Sequence, residues 1–305
     1  MAMISAMALT LAVAAPVRPV ELTAPQLHVV TSTSDLWDLA RQVGGTRVTV
    51  KHISEGYQDP HFVEAKPSYV LDLKKADVFA YVGLDLEIGW MSLLLDGARN
   101  RKISPGAPGH LNVSKAIPVI DVPSAGVDRS QGDVHPLGNP HYWLDPSNAK
   151  RIADLFRDTF SQLDPAGAGE YAANSEAFKT RLTAAEKAWA PLIARLRGTP
   201  VVAWHTSWRY FAQYTGLDIV GFMEPKPGVP PSPSQLAGLI RTMQRTGARL
   251  IIMEPFYDRK MADFVAGKTG ATVLVVPPSV GGVKGVENYI SLMQHNIEQV
   301  ARALP

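Results

Sequence analysis

The stretch from Gly138 to Pro146, with the sequence GNPHYWLDP, joins an irregular segment rich in glycine and proline to a predicted helix. Asp145 is a favourable N-cap, and Pro146 suits the first position of a helix. His141 therefore lies just before a helix start, in a turn that Pro140 stiffens. This setting predicts an imidazole that is held in a fixed direction and is available to bind a ligand.

Two further histidines have similar settings. His61 ends the sequence Asp59-Pro60-His61, and His205 directly follows an apolar segment that is predicted to be a strand. In open α/β sheets, ligands lie beyond the carboxyl ends of the strands. We therefore predict that His61, His141 and His205, although far apart in the sequence, converge on one metal ion.

Short apolar segments alternate with amphipathic segments of helical period on both sides of that stretch, which is typical of parallel sheets covered by helices. Residues 168 to 197 have the period of one long helix that could bridge two domains. The predicted fold class is α/β, with two Rossmann-like (β/α) lobes. We assign residues 1–25 to a signal peptide and lead-in, 26–166 to an N-terminal lobe, 167–197 to the linking helix and 198–305 to a C-terminal lobe. We also predict a helix over Asp85–Leu95 and a strand over Ile117–Val122.

Composition excludes several classes of protein. The chain has 305 residues, a net charge of +2 and no cysteine. The charge is too small to indicate a nucleic-acid partner, and without cysteine there are no disulfides, thiolate metal sites or cysteine nucleophiles. A bacterial lipid anchor needs an N-terminal cysteine, so we expect none.

Residues 1–15 are apolar and end in small residues. A membrane-spanning helix needs about 20 residues, so this segment predicts a secretory signal that is cut near Ala15. The expected location is therefore the periplasm, for an exported protein without a lipid anchor.

Glu254 follows another predicted strand and should lie at the same sheet edge as His205. Imidazole nitrogens with a carboxylate suit Zn²⁺, and less selectively Mn²⁺ or Fe²⁺. The alternatives are a surface or capping role for His141, a plain loop residue for His61, a core role for His205 and a helix cap for Glu254. We assign no metal role to the remaining histidines considered, His52, His110, His135 and His295, with an auxiliary metal-capturing role as the alternative for His135.

Several segments occur in the order that is typical of one family. They are Asp59-Pro60-His61, Asn139-Pro140-His141, Val202-Ala203-Trp204-His205, Gly228-Val229-Pro230-Pro231-Ser232-Pro233 and Glu254-Pro255. Together they resemble the periplasmic zinc- and manganese-binding proteins of ABC metal importers, which belong to cluster A-I of the substrate-binding proteins.

The resemblance implies two lobes joined by one long rigid helix, with the metal in the cleft between them, and it carries the ligand role onto His61, His141 and His205. Family members with glutamate at the third position lean to manganese, so His205 indicates zinc. The implied partner is an ABC transporter membrane permease, with a periplasmic metallochaperone as a second candidate. We expect a monomer that is not an enzyme.

One departure from the family concerns the fourth ligand. The family usually places an aspartate after the last strand, where this chain has Pro277 and Pro278. We predict that Glu254 replaces it, with Glu224 or a water as alternatives. A zinc hydrolase with three histidines and an open fourth position, a manganese- or iron-binding relative, and an adhesion or scaffold protein with structural histidines are the rival functions.

Overall fold

The computed structural model describes residues 27–124, 135–224 and 228–304. The predicted signal segment and its cleavage near Ala15 lie outside these residues. Two parallel sheets, each covered by helices, form two α/β lobes. Within the described residues, no helix is both long enough and apolar enough to cross a bilayer.

The first sheet has the strand order β2-β1-β3-β4, and all neighbouring strands are parallel. Its strands are β1 (Leu27–Thr33), β2 (Val48–Ser54), β3 (Val78–Tyr81) and β4 (His110–Asn112). The helices of this lobe are α1 (Ser34–Gly44), α2 (Pro67–Lys75) and α3 (Met91–Ala98). In this order the connection after β1 leads to one edge of the sheet and the connection after β3 to the other, so the switch point, where ligands lie in open α/β sheets, is between β1 and β3.

Two long helices follow the first sheet. The first is α4 (Pro146–Leu163), and Asp145 caps it by accepting a 2.7 Å hydrogen bond from the Ser147 amide. The second is α5 (Ala168–Leu196), which has 29 residues and links the lobes. At 1.5 Å per residue it is about 43 Å long. Its buried side chains pack against α1 and α4.

The second sheet repeats the topology of the first, with the order β6-β5-β7-β8 and all strands parallel. Its strands are β5 (Pro200–Ala203), β6 (Asp218–Phe222), β7 (Leu250–Met253) and β8 (Thr272–Val275). The helices of this lobe are α6 (Arg209–Thr215), α7 (Pro233–Thr246), α8 (Lys260–Thr269) and α9 (Tyr289–Ala303). The matching order gives each lobe a crevice at the carboxyl edge of its sheet.

Two predicted elements differ in the structure. The helix predicted over Asp85–Leu95 begins only at Met91, after a series of turns. The strand predicted over Ile117–Val122 is absent, and β4 lies earlier in the chain. Asp121 adopts a left-handed φ of 55°, which interrupts an extended run. The amide of Ile120 donates to the Tyr210 hydroxyl instead of pairing with a strand.

The segment after β8 connects the two lobes. The Asp35 carboxylate accepts a 2.9 Å hydrogen bond from the Val280 amide, and the Ser34 hydroxyl donates to the Val280 carbonyl at 2.7 Å. The Trp143 indole donates to the Pro278 carbonyl at 2.8 Å. Burial raises the pKa of Asp35 to about 7. The segment that holds prolines in place of the family's aspartate is thus fixed to the first lobe.

Candidate metal centre

Four histidines lie together between the lobes: His61, His135, His141 and His205. One ring nitrogen of each lies within 4.8 Å of one ring nitrogen of every other. His141 and His205 are buried, with 2% of each residue exposed, and His61 and His135 are partly exposed. The three histidines selected from the sequence are thus neighbours in space, and a fourth joins them.

The carboxyl edges of the sheets position these side chains. His61 lies in the loop after β2, and His205 follows β5, with Trp204 between the strand and the histidine. His135 and His141 belong to the segment that precedes α4. His61, His135 and His141 therefore precede the linking helix α5 in the chain, and His205 follows it.

An oxygen holds the Nδ1 atom of three of the rings. His61 Nδ1 lies 2.6 Å from Asp59 Oδ1, and His205 Nδ1 lies 2.9 Å from Glu224 Oε2. His141 Nδ1 lies 3.0 Å from Asn139 Oδ1. An imidazole that donates its Nδ1–H to an oxygen keeps the lone pair of Nε2 for a metal, and the oxygen fixes the ring orientation.

The sequence explains two of these contacts locally. Asp59 Oδ1 also accepts a 3.0 Å hydrogen bond from the His61 amide, and Asn139 Oδ1 accepts one of 3.0 Å from the His141 amide. This is an Asx turn, in which a side-chain oxygen binds the backbone two residues later. The sequence analysis did not identify Asp59 and Asn139 as positioning residues, although an Asx residue two positions before each histidine is a readable signal.

The third contact depends on tertiary structure. Glu224 follows the edge strand β6, and its second oxygen, Oε1, accepts a 2.9 Å hydrogen bond from the Gly228 amide. The sequence analysis considered Glu224 only as a metal ligand. Its contact with His205 needs β5 and β6 to be neighbours in the sheet, which no local pattern reveals.

His135 is the member of the cluster that the sequence analysis left without a main role. Its Nε2 lies 3.2 Å from Nε2 of His61. Nitrogens bound to one tetrahedral zinc at 2.0–2.1 Å lie about 3.3 Å from each other. The separation of these two atoms therefore fits a shared cation.

Glu254 does not belong to the group of four. It is fully buried, and neither carboxyl oxygen has a hydrogen-bond partner among the described residues. Burial raises the pKa of Glu254 to about 8, although the nearby Ser207 side chain favours the ionised form. At neutral pH a metal bound here would have to displace a proton from this carboxyl.

The electrostatics of the cluster favour a cation. Burial, reinforced by the neighbouring histidines, lowers the pKa of His141 well below its usual value. Burial also lowers the pKa of His205, against the opposing effect of Glu224. Burial would raise the pKa of Asp59, but the hydrogen bond and charge of His61 outweigh it, and the net direction is down. The centre thus combines two buried imidazoles, of His141 and His205, whose lowered pKa values favour the neutral form, with the Asp59 carboxylate behind His61.

Comparison with known proteins identifies the family. Residues 29–303 match the family model of ZnuA, the periplasmic component A of the zinc-uptake complex. The chain belongs to this family of metal-binding substrate-binding proteins of ABC transporters, which work with a membrane permease. This supports the transport function and not the hydrolase alternative.

Individual relatives are named for different metals. The chain is 28% identical to the manganese-binding lipoprotein MntA of Halalkalibacterium halodurans over 285 residues, which covers 91% of this chain and 88% of that protein. It is 26% identical to the iron-binding protein YfeA of Yersinia pestis over 289 residues, with 92% and 87% covered. A crystal structure of a zinc-bound ZnuA deletion mutant superposes with a TM-score of 0.74 at 23% identity, covering 90% of this chain and 96% of that one. The last comparison shows the two-lobed fold.

The relatives correct the expectation that the protein has no lipid anchor. MntA and several streptococcal relatives are named lipoproteins, so that expectation is wrong. It depended on the cysteine count of these 305 residues, and that count does not establish how a protein of this family is held at the membrane. The extracytoplasmic location is consistent with the relatives.

Proposed function

We propose that the protein, acting as a single chain, captures Zn²⁺ through Nε2 of His61, His141 and His205 and a ring nitrogen of His135, and then delivers it to its ABC permease. The observation that carries the proposal is the convergence of four imidazoles, three of them with Nδ1 held by an oxygen. All four ligands come from one chain, which supports capture by a monomer.

The donor set favours zinc. Four neutral nitrogens suit Zn²⁺, whereas Mn²⁺ prefers oxygen ligands. Two side-chain carboxyl groups, of Asp59 and Glu224, contact the rings from behind and can offset the charge of a divalent ion. Mn²⁺ and Fe²⁺ remain the alternative cargoes, because MntA and YfeA are named for them.

We propose His135 as the fourth ligand in preference to Glu254. The 3.2 Å contact with His61 supports His135, and Glu254 does not belong to the group of four residues whose ligand atoms lie within 4.8 Å of one another. The two ligand sets differ chemically, since the first has four nitrogens and the second has three nitrogens and one oxygen.

X-ray absorption of the zinc-loaded protein, together with a chelator-competition titration, tests the proposal. We expect four nitrogen donors at about 2.0–2.1 Å. His135→Ala should lower the zinc affinity, while Glu254→Ala should retain the four-nitrogen spectrum. The matched control is His110→Ala, because His110 contacts Tyr81 outside the cluster.

A spectrum with the outer-shell scattering of only three imidazole rings, and with a fourth donor that is lost in Glu254→Ala, would replace His135 by Glu254 in the ligand set. Failure of the wild-type chain to bind zinc more tightly than Mn²⁺ and Fe²⁺ would overturn the assignment of the cargo. An unchanged zinc affinity after loss of any of the other three histidines would overturn the site itself.

A further inference from the structure

We infer that Asn139 is a positioning residue that ties the turn carrying His141 to the connection between β5 and α6, and so sets the separation of His141 and His205 before a metal arrives. This inference rests on the proposed metal site. Its basis is that the oxygen of the buried Asn139 side-chain amide contacts His141, while the nitrogen of the same amide contacts the residue after His205.

The oxygen end of the amide serves His141. Asn139 Oδ1 is 3.0 Å from the His141 amide nitrogen and 3.0 Å from Nδ1 of its ring. Asn139 is 3% exposed, so water has little access to compete for these bonds. Asn139 Oδ1 thus fixes the direction of the His141 ring, as Asp59 Oδ1 does for the His61 ring.

The nitrogen end reaches across to the second lobe. Asn139 Nδ2 donates a 2.9 Å hydrogen bond to the carbonyl of Thr206, the residue directly after His205. It also lies 3.4 Å from Asp121 Oδ2. Both partners are acceptors, which requires the amide nitrogen to face them and the oxygen to face His141.

Helix α6 fixes the same turn from a second direction. The Tyr210 hydroxyl donates to the Asn139 carbonyl at 3.1 Å and accepts from the Ile120 amide at 3.1 Å. Arg209 forms a two-pronged ion pair with Asp121, with contacts of 3.0 and 2.9 Å. The side chain of Asn139 is thus at the centre of a connection between the lobes.

Asp59 provides the contrast that isolates the role of the amide nitrogen. Within the described part of the chain, both hydrogen bonds of the Asp59 side chain go to His61. An ionised carboxylate has no donor. Aspartate at position 139 would keep the acceptor for His141 but lose the bond to Thr206. The identity of this residue therefore decides whether the rings of His141 and His205, whose centroids are 5.2 Å apart, form a preset pair.

The test exchanges the two residues in the full chain, as Asn139→Asp and Asp59→Asn. The measurements are hydrogen exchange over residues 203–212 in the metal-free protein, the visible spectrum with Co²⁺ in place of zinc, and a zinc competition titration. We expect Asn139→Asp to speed hydrogen exchange in this segment by about tenfold, because loss of the hydrogen bond to the Thr206 carbonyl makes local opening easier. It should also change the Co²⁺ bands and lower zinc affinity by about 10–100-fold.

Asp59→Asn is the matched control, and it should leave exchange over residues 203–212 unchanged. Asn139→Asp also places a carboxylate beside that of Asp121, and the two would repel each other. The double variant Asp121→Asn/Asn139→Asp removes this repulsion, and it is compared with Asp121→Asn alone. The faster exchange should persist in the double variant. If Asn139→Asp does not fold, Tyr210→Phe should produce the same change with a smaller amplitude.

Wild-type exchange and an unchanged Co²⁺ spectrum in Asn139→Asp would overturn the inference, and so would full recovery in the double variant. A wild-type chain that binds neither Zn²⁺ nor Co²⁺ would instead overturn the proposed function. In that case the exchange rates of the metal-free variants still decide whether Asn139 holds the lobes together.

Discussion

The loop Asp59-Pro60-His61 and the turn Asn139-Pro140-His141 have the same order of residue types but lie in different surroundings. Next to His61, Phe62 is 66% exposed, whereas Tyr142 and Trp143 beside His141 are buried. The local motif fixes the direction of each imidazole in the same way. The surroundings decide how far the imidazole can move.

This difference divides the centre into two parts. His141 and His205 lie on the buried side, joined through Asn139 and Thr206. His61 lies on the partly exposed side with His135. We expect a metal ion to bind first to His61 and His135. His141 and His205 should then complete its coordination.

Loss of a ligand should have the largest effect. His61→Ala and His141→Ala should each lower zinc affinity by more than about 100-fold, because losing a ligand should exceed the effect of losing an outer partner. Chelator competition measures both variants against His110→Ala. Equal affinity in His61→Ala and wild type would show that the exposed side is not part of the centre.

Loss of an outer oxygen should have the next largest effect. Asp59→Ala and Glu224→Ala each free an imidazole to rotate and should lower zinc affinity by about 10–100-fold. The control is Glu298→Ala, whose side chain pairs with Arg302 on the surface. Isothermal titration under competition measures all three, and a wild-type affinity in Glu224→Ala would remove that residue from the positioning role.

Gly56→Ala should disturb only the partly exposed part of the centre, which contains His61 and His135. A Cβ at Gly56 would overlap the Val280 carbonyl, which is itself fixed to α1. Overpacking of this kind lowers the free energy of unfolding by about 1–3 kcal/mol. The loop that carries His61 should shift, and zinc affinity should fall while exchange over residues 203–212 stays unchanged.

Gly169→Ala is the control for that substitution. Gly169 lies in α5 with open space around it, so alanine should raise stability by about 0.4–1 kcal/mol. Thermal melts of both variants provide the comparison. Equal melting temperatures for Gly56→Ala and wild type would show that the loop adapts without cost.

The buried pair should give the metal-free protein a modest pH dependence. The pKa values of His141 and His205 are lowered in the fold, so the unfolded chain binds more protons below about pH 6.5. The contribution of these two histidines to stability should therefore fall by about 1 kcal/mol from pH 7 to pH 6, while the raised pKa values of the buried carboxyls Asp35 and Glu254 act in the opposite direction. Denaturant titrations at both pH values measure this, and the double variant His141→Gln/His205→Gln should lack that part of the change. A double variant with the wild-type dependence would contradict the assignment.

Local signals predicted much of the fold. Asp145 caps α4 as expected, and the long helix predicted over residues 168 to 197 is present as α5, from Ala168 to Leu196. The strand predicted over Ile117–Val122 is wrong, and the Ile120 amide donates to the Tyr210 hydroxyl instead of pairing with a strand. The β-branched residues of this segment favour a strand, but they cannot reveal a hydrogen-bond partner from a distant part of the chain.

Local sequence likewise predicted some features of the candidate site and missed others. An Asx-Pro-His motif carries its own oxygen, so the settings of His61 and His141 are visible in the sequence. His135 has no comparable motif, and its place beside His61 is a tertiary contact between residues 74 positions apart. Glu254 has the expected place after a strand, yet burial leaves it mostly protonated at neutral pH.

The sequence by itself determined the alternation of strands and helices, the helix caps and the two turns that aim an imidazole, because these depend on residues close together in the chain. Only the tertiary structure decided which histidines meet, which oxygen holds His205 and how Asn139 joins the lobes. Those contacts depend on distances between segments that are far apart in sequence, and packing and burial set these distances.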